Sequence, residues 1–344
     1  MSEAVKHSTK SLRRIGRSAA YHAGILGMAR RHVREALTVI MLHRVLDCAD
    51  EDFRTADPIY TLSVELFDQL LAFASENYSV VSLADVIAAT KGSRGLPDHA
   101  LLITFDDGWA DNLKYAAPVL AERDLPAVIF ASTEPITSSD LNWWQEQIFE
   151  AARYGQLDDW LSTADVYEAL KLRPGKSVRA LDVVTAMAES DNVARARLLS
   201  SLPQTHRQSR LMLAASDLAT LPKFRIDIGL HGHRHLPLTS VPDVGAELLL
   251  AQKYLEILSK KMGVCSALSC PHGQYDDRVI SAANSVGIEL IFTSDPHLNR
   301  IKHGLLTSRR TIGRISIVAS HVTDAYGNLD RAALARWLWN RELR

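Results

Sequence analysis

Apolar positions in this chain fall into short continuous runs, and segments of helical spacing lie between them. Residues 36–45 (ALTVIMLHRV) form the first run and read as a strand with His43 near its end. Over 67–76 the apolar residues recur at helical intervals; a short strand is expected at 78–81 and a second helix at 83–89. A Gly/Pro-containing loop at 92–99 leads into the run Ala100-Leu101-Leu102-Ile103, followed by a helix over 112–123 and a strand over Ala127–Ala131. This β-α-β succession predicts a parallel sheet wrapped by helices. From about residue 137 to 211 the rhythm breaks. Trp143, Trp144, Ile148 and Trp160 stand there among polar helix formers, which predicts a helical insertion with a small apolar face of its own.

The alternation then resumes. Strands are expected at 225–230, up to Ser269, at 289–293 and near 312–317, with helices over 244–262, over 279–286 and from Leu329 onward. About seven strands result, enough to close a barrel. The expected class is therefore α/β: a (β/α) barrel over 36–320 carrying a helical insertion at 137–211, flanked by a basic helix over 1–35 and a C-terminal helix over 321–344.

Composition narrows the partners. The 344 residues carry 39 basic and 40 acidic side chains, net −1, which argues against nucleic acid. Three cysteines (Cys48, Cys265 and Cys270), an odd number without CxxC spacing, exclude a disulfide framework and point to a reducing, cytoplasmic setting. No run reaches the roughly 18 apolar residues of a membrane span. Arg13, Arg14, Arg17, Arg30, Arg31 and Arg34 break any secretory apolar core near the start. The stretch 11–36 reads as a basic helix whose Ile15, Ala19, Ala23, Leu26 and Ala29 either pack on the domain or rest on an anionic membrane surface.

Two stretches carry chemistry. In Thr104-Phe105-Asp106-Asp107-Gly108 an apolar strand delivers adjacent carboxylates to its end. Buried charges cost several kcal/mol each unless paired or metal-bound. Alternation along a strand sends Asp106 and Asp107 in different directions, so the two are expected to differ in role. Gly108 permits the tight turn that follows. The plainer alternative is a helix N-cap beside a solvated turn acid. The second stretch, His231-Gly232-His233-Arg234-His235, follows the apolar strand at 226–230. Buried imidazoles need hydrogen-bond partners, so three within five residues are not readily structural. If the segment turns helically, His231 and His235 face one side. With a carboxylate they would make a two-histidine, one-carboxylate centre with open positions, as a hydrolytic metal requires. His233 is expected on the far side.

TFDDG with the downstream Pro118, then Ile228-Gly229-Leu230-His231-Gly232-His233-Arg234-His235, then Pro271-His272-Gly273-Gln274-Tyr275-Asp276, together resemble the polysaccharide deacetylase superfamily, carbohydrate esterase family 4. Leu42-His43-Arg44-Val45 looks like the opening YHxV strand of one subgroup, and 61–67 with 81–83 is similar to that subgroup's next segment. The similarity covers residues 36–135 and 212–318. It implies a distorted (β/α) barrel, a divalent metal (zinc being expected) and hydrolysis of an acetamide on an amino-sugar glycan or its precursor. Cleavage of an O-acetyl ester or another non-peptide C–N bond, or glycan binding without catalysis, are the alternatives. Carried over residue by residue, Asp106 matches the general base, and Asp107, His231 and His235 match the metal ligands. A backbone N–H after Pro271 would stabilise the oxyanion, which puts Pro271, His272 and Gly273 beside the substrate.

Departures from the pattern shift other roles. His272 stands where the family often has Tyr or Phe, Ser269-Cys270 replaces an aromatic position, and the arginine of that motif is missing. Arg314 is the expected substitute for orienting Asp106, with a surface charge at a strand end as the alternative. The late Leu-x-x-His acid is not evident, and His321 matches it poorly. The subgroup resemblance makes His43 the proton donor, against a satisfied core histidine; His272 is a further candidate. Loops after barrel strands emerge at the catalytic face, so Trp143 and Trp144 would either stack on a sugar or pack the insertion's core.

Overall fold

The computed structural model describes residues 30–31, 33–139, 143–163, 178–188, 190, 192–202, 210–259, 266–308 and 310–344. β1 (Ala36–Leu42) is buried at every position, as a strand covered on both faces must be. After His43 the chain continues as β2 (Arg44–Leu46), which leaves the main sheet and pairs with β3 (Thr61–Ser63). The predicted single strand over 36–45 is thus two strands hinged at the histidine. Ser63 then caps the helix Val64–Asn77, its hydroxyl accepting from the Leu66 N–H at 3.1 Å. β4 (Ser79–Val80) borders β5 (Ala100–Phe105), and the helix Leu83–Thr90 between them starts in a Ser82/Asp85 capping box.

From β5 the sheet runs through β6 (Ala127–Ala131), β7 (Ile226–Leu230), β8 (Ala267–Ser269) and β9 (Leu290–Phe292), all parallel. An antiparallel hairpin that the periodicity did not reveal, β10 (Asn299–Lys302) and β11 (Leu305–Leu306), extends the sheet beyond β1. The last barrel strand is interrupted. β12 (Thr311–Ile312) lies parallel to β9, while β13 (Ile315–Ser316) lies parallel to β1. Gly313 and Arg314 therefore sit at the seam that joins the two ends of the curled sheet. With β12 and β13 taken as one broken strand, the ring β1-β5-β6-β7-β8-β9-β12/β13 has the expected seven parallel members.

One cluster of alternate strand residues, including Leu37, Val39, Leu102, Val128, Phe130, Leu290 and Phe292, fills the barrel; the other strand face packs on the helices. Phe130 and Phe292 meet across the interior with ring centroids 4.9 Å apart. The expected helix over 112–123 begins as a π-helical turn, Asn112–Ala116, before the α-helix Ala117–Glu122. Pro118 has no N–H for the α-helical ladder, and the widened turn sits just ahead of it.

Within the insertion the helices Thr133–Thr137, Trp144–Arg153, Leu157–Leu161, Ala180–Ala188 and Asn192–Leu199 are described. The basic helix expected before β1 lies outside the described residues apart from its last members; Arg30 donates to the Asn77 carbonyl at 2.6 Å. Near the other terminus the helix Arg331–Trp339 buries Leu334, Leu338 and Trp339. No helix among the described residues is long and apolar enough to cross a membrane.

Candidate active site

The C-terminal ends of β1, β5, β7 and β8 deliver side chains to one cavity of about 570 Å³. His43, Asp106, Asp107, His231, His235, His272 and Gly273 all line it. Asp106 still belongs to the ladder, its N–H donating to the Leu42 carbonyl at 3.0 Å, whereas Asp107 turns out of it with φ +75°. A non-glycine residue held there stores on the order of 1–3 kcal/mol of strain, typical of functional positions. Gly108, at φ +90°, continues the turn; a Cβ on it would come within 2.9 Å of the Ala131 Cβ. The separation of the two carboxylates thus comes from this turn as well as from strand alternation.

Asp107 faces both imidazoles. Its Oδ1 lies 3.3 Å from His231 Nε2 and 3.2 Å from His235 Nε2, and its Oδ2 accepts from the Trp109 indole N–H at 2.8 Å. The histidines converge without a helix, contrary to expectation. Gly232 (φ +72°) and His235 (φ +52°) fold the segment back as a loop. Glu247 fastens that loop, accepting from the His233 and Arg234 N–H groups at 3.2 and 2.9 Å. His233 points away, as expected, bonded to Thr133 at 2.7 Å and stacked on Tyr254.

The far side of each imidazole determines what the near side offers. His231 Nδ1 meets the Ser269 carbonyl at 2.8 Å, so Nδ1 must carry the proton. His235 Nδ1 meets Gln145 Oε1 at 3.1 Å, and the amide is oriented by its own donation to the Arg234 carbonyl. In neutral rings both Nε2 atoms therefore present lone pairs toward a carboxylate oxygen. The three ligand atoms lie within 4.8 Å of one another, and all three residues are buried. Converging acceptors of this kind repel unless a cation lies between them, and two imidazoles with one carboxylate suit a divalent transition metal. The donor set fits the expected metal.

Asp106 is held separately. Arg314, fully buried at the barrel seam, donates to both of its oxygens at 2.7 Å. Ser269 Oγ donates to Asp106 Oδ2 at 3.1 Å, and Arg314 reaches the Thr293 carbonyl at 3.0 Å. Burial would raise the Asp106 pKa, but Arg314, with His231 and His43 beside it, holds the carboxyl below its ordinary range. For Asp107 burial is likewise outweighed, here by His235 and His231, and the carboxyl lies well below its usual value. Burial lowers His43 despite the nearby Asp107 and Asp106, and brings His272 down to about 3 with help from His235.

His43 also lines the cavity, its ring 4.6 Å from Tyr60. Asn112 donates to its carbonyl at 2.7 Å, and Asp111 takes the Val45 N–H at 3.1 Å and Arg44 Nε at 2.7 Å, so the backbone around it is pinned. His272 stands with φ +56° and contacts His235 at 4.5 Å between ring centroids. Gly273 permits a close approach: a Cβ there would meet Ser294 Oγ at 2.7 Å. Pro271 is buried behind these two and packs near Gly232.

Trp144 is not brought to the cavity. Its indole bonds Glu134 at 3.1 Å and lies under Arg195. Trp143 lines the cavity instead, edge-on to Trp109 and His235. His321 packs on Trp337 outside the cavity lining. Sequence reasoning missed Ser269, Gln145, Trp109 and Asp111. Only Trp109 carried a signal, its position directly after TFDDG; the others are ordinary polar residues until the fold assembles them.

Comparison with known proteins follows this geometry. The family model described as polysaccharide deacetylase matches residues 93–168, which include both aspartates. The Streptococcus pyogenes deacetylase PplD, solved with acetate, is 16% identical over 88% of this chain and 98% of its own, with a TM-score of 0.56. IcaB from Ammonifex degensii is 15% identical over 89% of this chain and 97% of that one, at 0.55. The polysaccharide deacetylase BC0361 from Bacillus cereus is 13% identical over 87% and 68%, at 0.52. At these identities the likeness is one of fold. No curated relative matches the sequence.

Proposed function

We propose that this chain, which belongs to the polysaccharide deacetylase superfamily and so to the hydrolases of carbon–nitrogen bonds other than peptide bonds, removes N-acetyl groups from an amino-sugar glycan or its precursor. The observation that carries the reading is the pairing of two unlike carboxylates in one cavity: Asp107 among imidazole acceptors, Asp106 clamped by a buried arginine.

Asp107, His231 and His235 would hold a divalent ion, zinc by its donor preference, which when bound supplies a Lewis acid for the acetyl carbonyl and acidifies water. Asp106 accepts the proton of the attacking water. Its lowered pKa keeps it ionised near neutrality, and Arg314 with Ser269 fixes its direction. A backbone N–H after Pro271 would donate to the developing oxyanion; the Gly273 N–H already bonds the Cys270 carbonyl at 3.0 Å, which leaves that of His272. As the carbon–nitrogen bond breaks, His43 in its imidazolium form gives a proton to the departing nitrogen, leaving acetate and a free amine; burial makes that form less abundant than in a free histidine. The test is acetate release from N-acetylated and O-acetylated sugars, after chelation and again after zinc is restored. Zinc-dependent release from the amide is expected; release from the ester alone would sink the reading.

A further inference from the structure

The cavity is polar at its buried end, and at its open end large apolar side chains stand beside Asp57 and Gln274. Asp106 and Asp107 are almost fully buried, yet Ile59 and Tyr60, which line the same cavity, are 53% and 47% exposed. Backbone bonds hold these two in place: Ile59 N–H donates to Asp57 Oδ1 at 2.9 Å, and the Tyr60 carbonyl accepts from the Arg44 N–H at 2.9 Å. Two large apolar side chains fixed in water at a cavity rim leave surface that a ligand can cover, worth about 25 cal/mol per Å². Phe149 and Leu181, from helices of the insertion, add apolar lining to the same space.

The cations near that end are already engaged, while the Asp57 carboxylate accepts only the Ile59 N–H and Gln274 stands exposed. Arg44 binds Asp111 at 2.7 Å and Asp52 at 3.5 Å and lies over Trp109; Arg153 binds Glu146. A row of sugar rings needs free donors and acceptors along its path, and this wall offers mainly hydrocarbon. The volume, about 570 Å³, falls within the roughly 300–1,000 Å³ of sites that enclose a compact ligand.

We propose that the substrate is an N-acetylated amino sugar bearing an apolar aglycone, an alkyl or polyprenyl-type chain, and that the aglycone lies along Ile59, Tyr60, Phe149 and Leu181. This rests on the deacetylase reading for the sugar end and on the cavity's polarity for the other.

The full chain, supplied with zinc, is titrated with methyl and octyl N-acetyl-β-glucosaminide and with the N-acetylglucosamine tetramer, below the octyl glycoside's micelle concentration. Tryptophan fluorescence reports binding, and acetate release is followed in parallel. The octyl glycoside should bind at least tenfold more tightly than the methyl glycoside. Ile59→Ser should remove most of that advantage and Ile59→Leu should keep it; Ile59 is half-exposed, so neither change threatens the core. Equal affinity for both glycosides, tighter binding of the tetramer than of the octyl glycoside, or an advantage untouched by Ile59→Ser would overturn the proposal. An octyl preference without acetate release would support the apolar end while removing the N-deacetylase reading.

Discussion

The floor and the wall of the cavity are built on different principles. The floor consists of strand ends: Asp106 and Asp107 after β5, His231 and His235 after β7, Ser269 at the end of β8. Each strand is locked by parallel neighbours, and Arg314 and Ser269 bond Asp106 and His231 from far away in sequence. The wall takes Trp143, Gln145, Glu146 and Phe149 from one helical stretch of the insertion, Leu181 from another of its helices, and Ile59 and Tyr60 from the segment before β3. The floor carries the groups that would do chemistry. The wall supplies one buried amide to an imidazole and otherwise shapes space. Chemistry placed on the sheet is hard to move, while a pocket shaped by inserted helices and a connecting segment is easily varied.

Substitutions can break this contrast, and the largest effect is expected on the floor. His231→Ala should leave too few ligands, so that purified protein shows little zinc by elemental analysis and acetate release falls to background. Undiminished zinc in that variant would remove the metal centre from this position. Asp106→Asn should retain zinc and lose about 10²–10⁴-fold in turnover, the usual range for a lost general base. Because Arg314 then lacks its counter-charge, a stability loss of about 3–5 kcal/mol should accompany it, read by denaturant unfolding. Near-normal turnover in folded Asp106→Asn would require another base.

The next effects measure how far the wall and the strand hinge take part. Gln145→Ala should weaken zinc affinity by about 10–100-fold, as when an outer partner of a ligand imidazole is lost; an unchanged affinity would confine the centre to the floor. His43→Ala should keep zinc and slow turnover by about tenfold or more, removing the limb on which activity falls with rising pH, a limb that burial of His43 sets below the ordinary histidine range. If that limb persists, His272, the lining histidine outside both the proposed metal set and position 43, is the next to test. Trp144→Ala should do least: about 1 kcal/mol of stability, with the Michaelis constant unchanged, since its ring packs on Glu134 and Arg195 rather than in the cavity.

The floor was legible in the sequence and the wall was not, for physical reasons. Strands covered on both faces are mostly apolar, so residues 100–105 stand out, as do 226–230 with Asp227 their exposed member, and charges at their ends are conspicuous. The barrel follows from that contrast, whereas the choice of Asp107 to join the two histidines comes from the resemblance to the deacetylase family. The helical turn expected for 231–235 failed because Gly232 and His235 take positive φ, which periodicity does not encode. Ser269, Gln145 and Asp111 gain meaning only from contacts 38 to 163 residues away. Trp143 and Trp144 look equivalent in sequence. One turn of backbone sends the first to His235 and the second to Glu134.

The seam at Gly313-Arg314 bears on how the protein is made. Asp106 and the arginine that neutralises it are separated by 208 residues. At about 5–20 residues per second, ribosomal synthesis leaves the aspartate waiting on the order of 10–40 s for its partner to emerge. Throughout that interval β1 lacks β13, the sheet has an open edge, and Asp106 has no guanidinium beside it. The nascent chain therefore cannot align that carboxylate until the seam at Arg314 has been translated. Closing the barrel and orienting Asp106 become almost the same event.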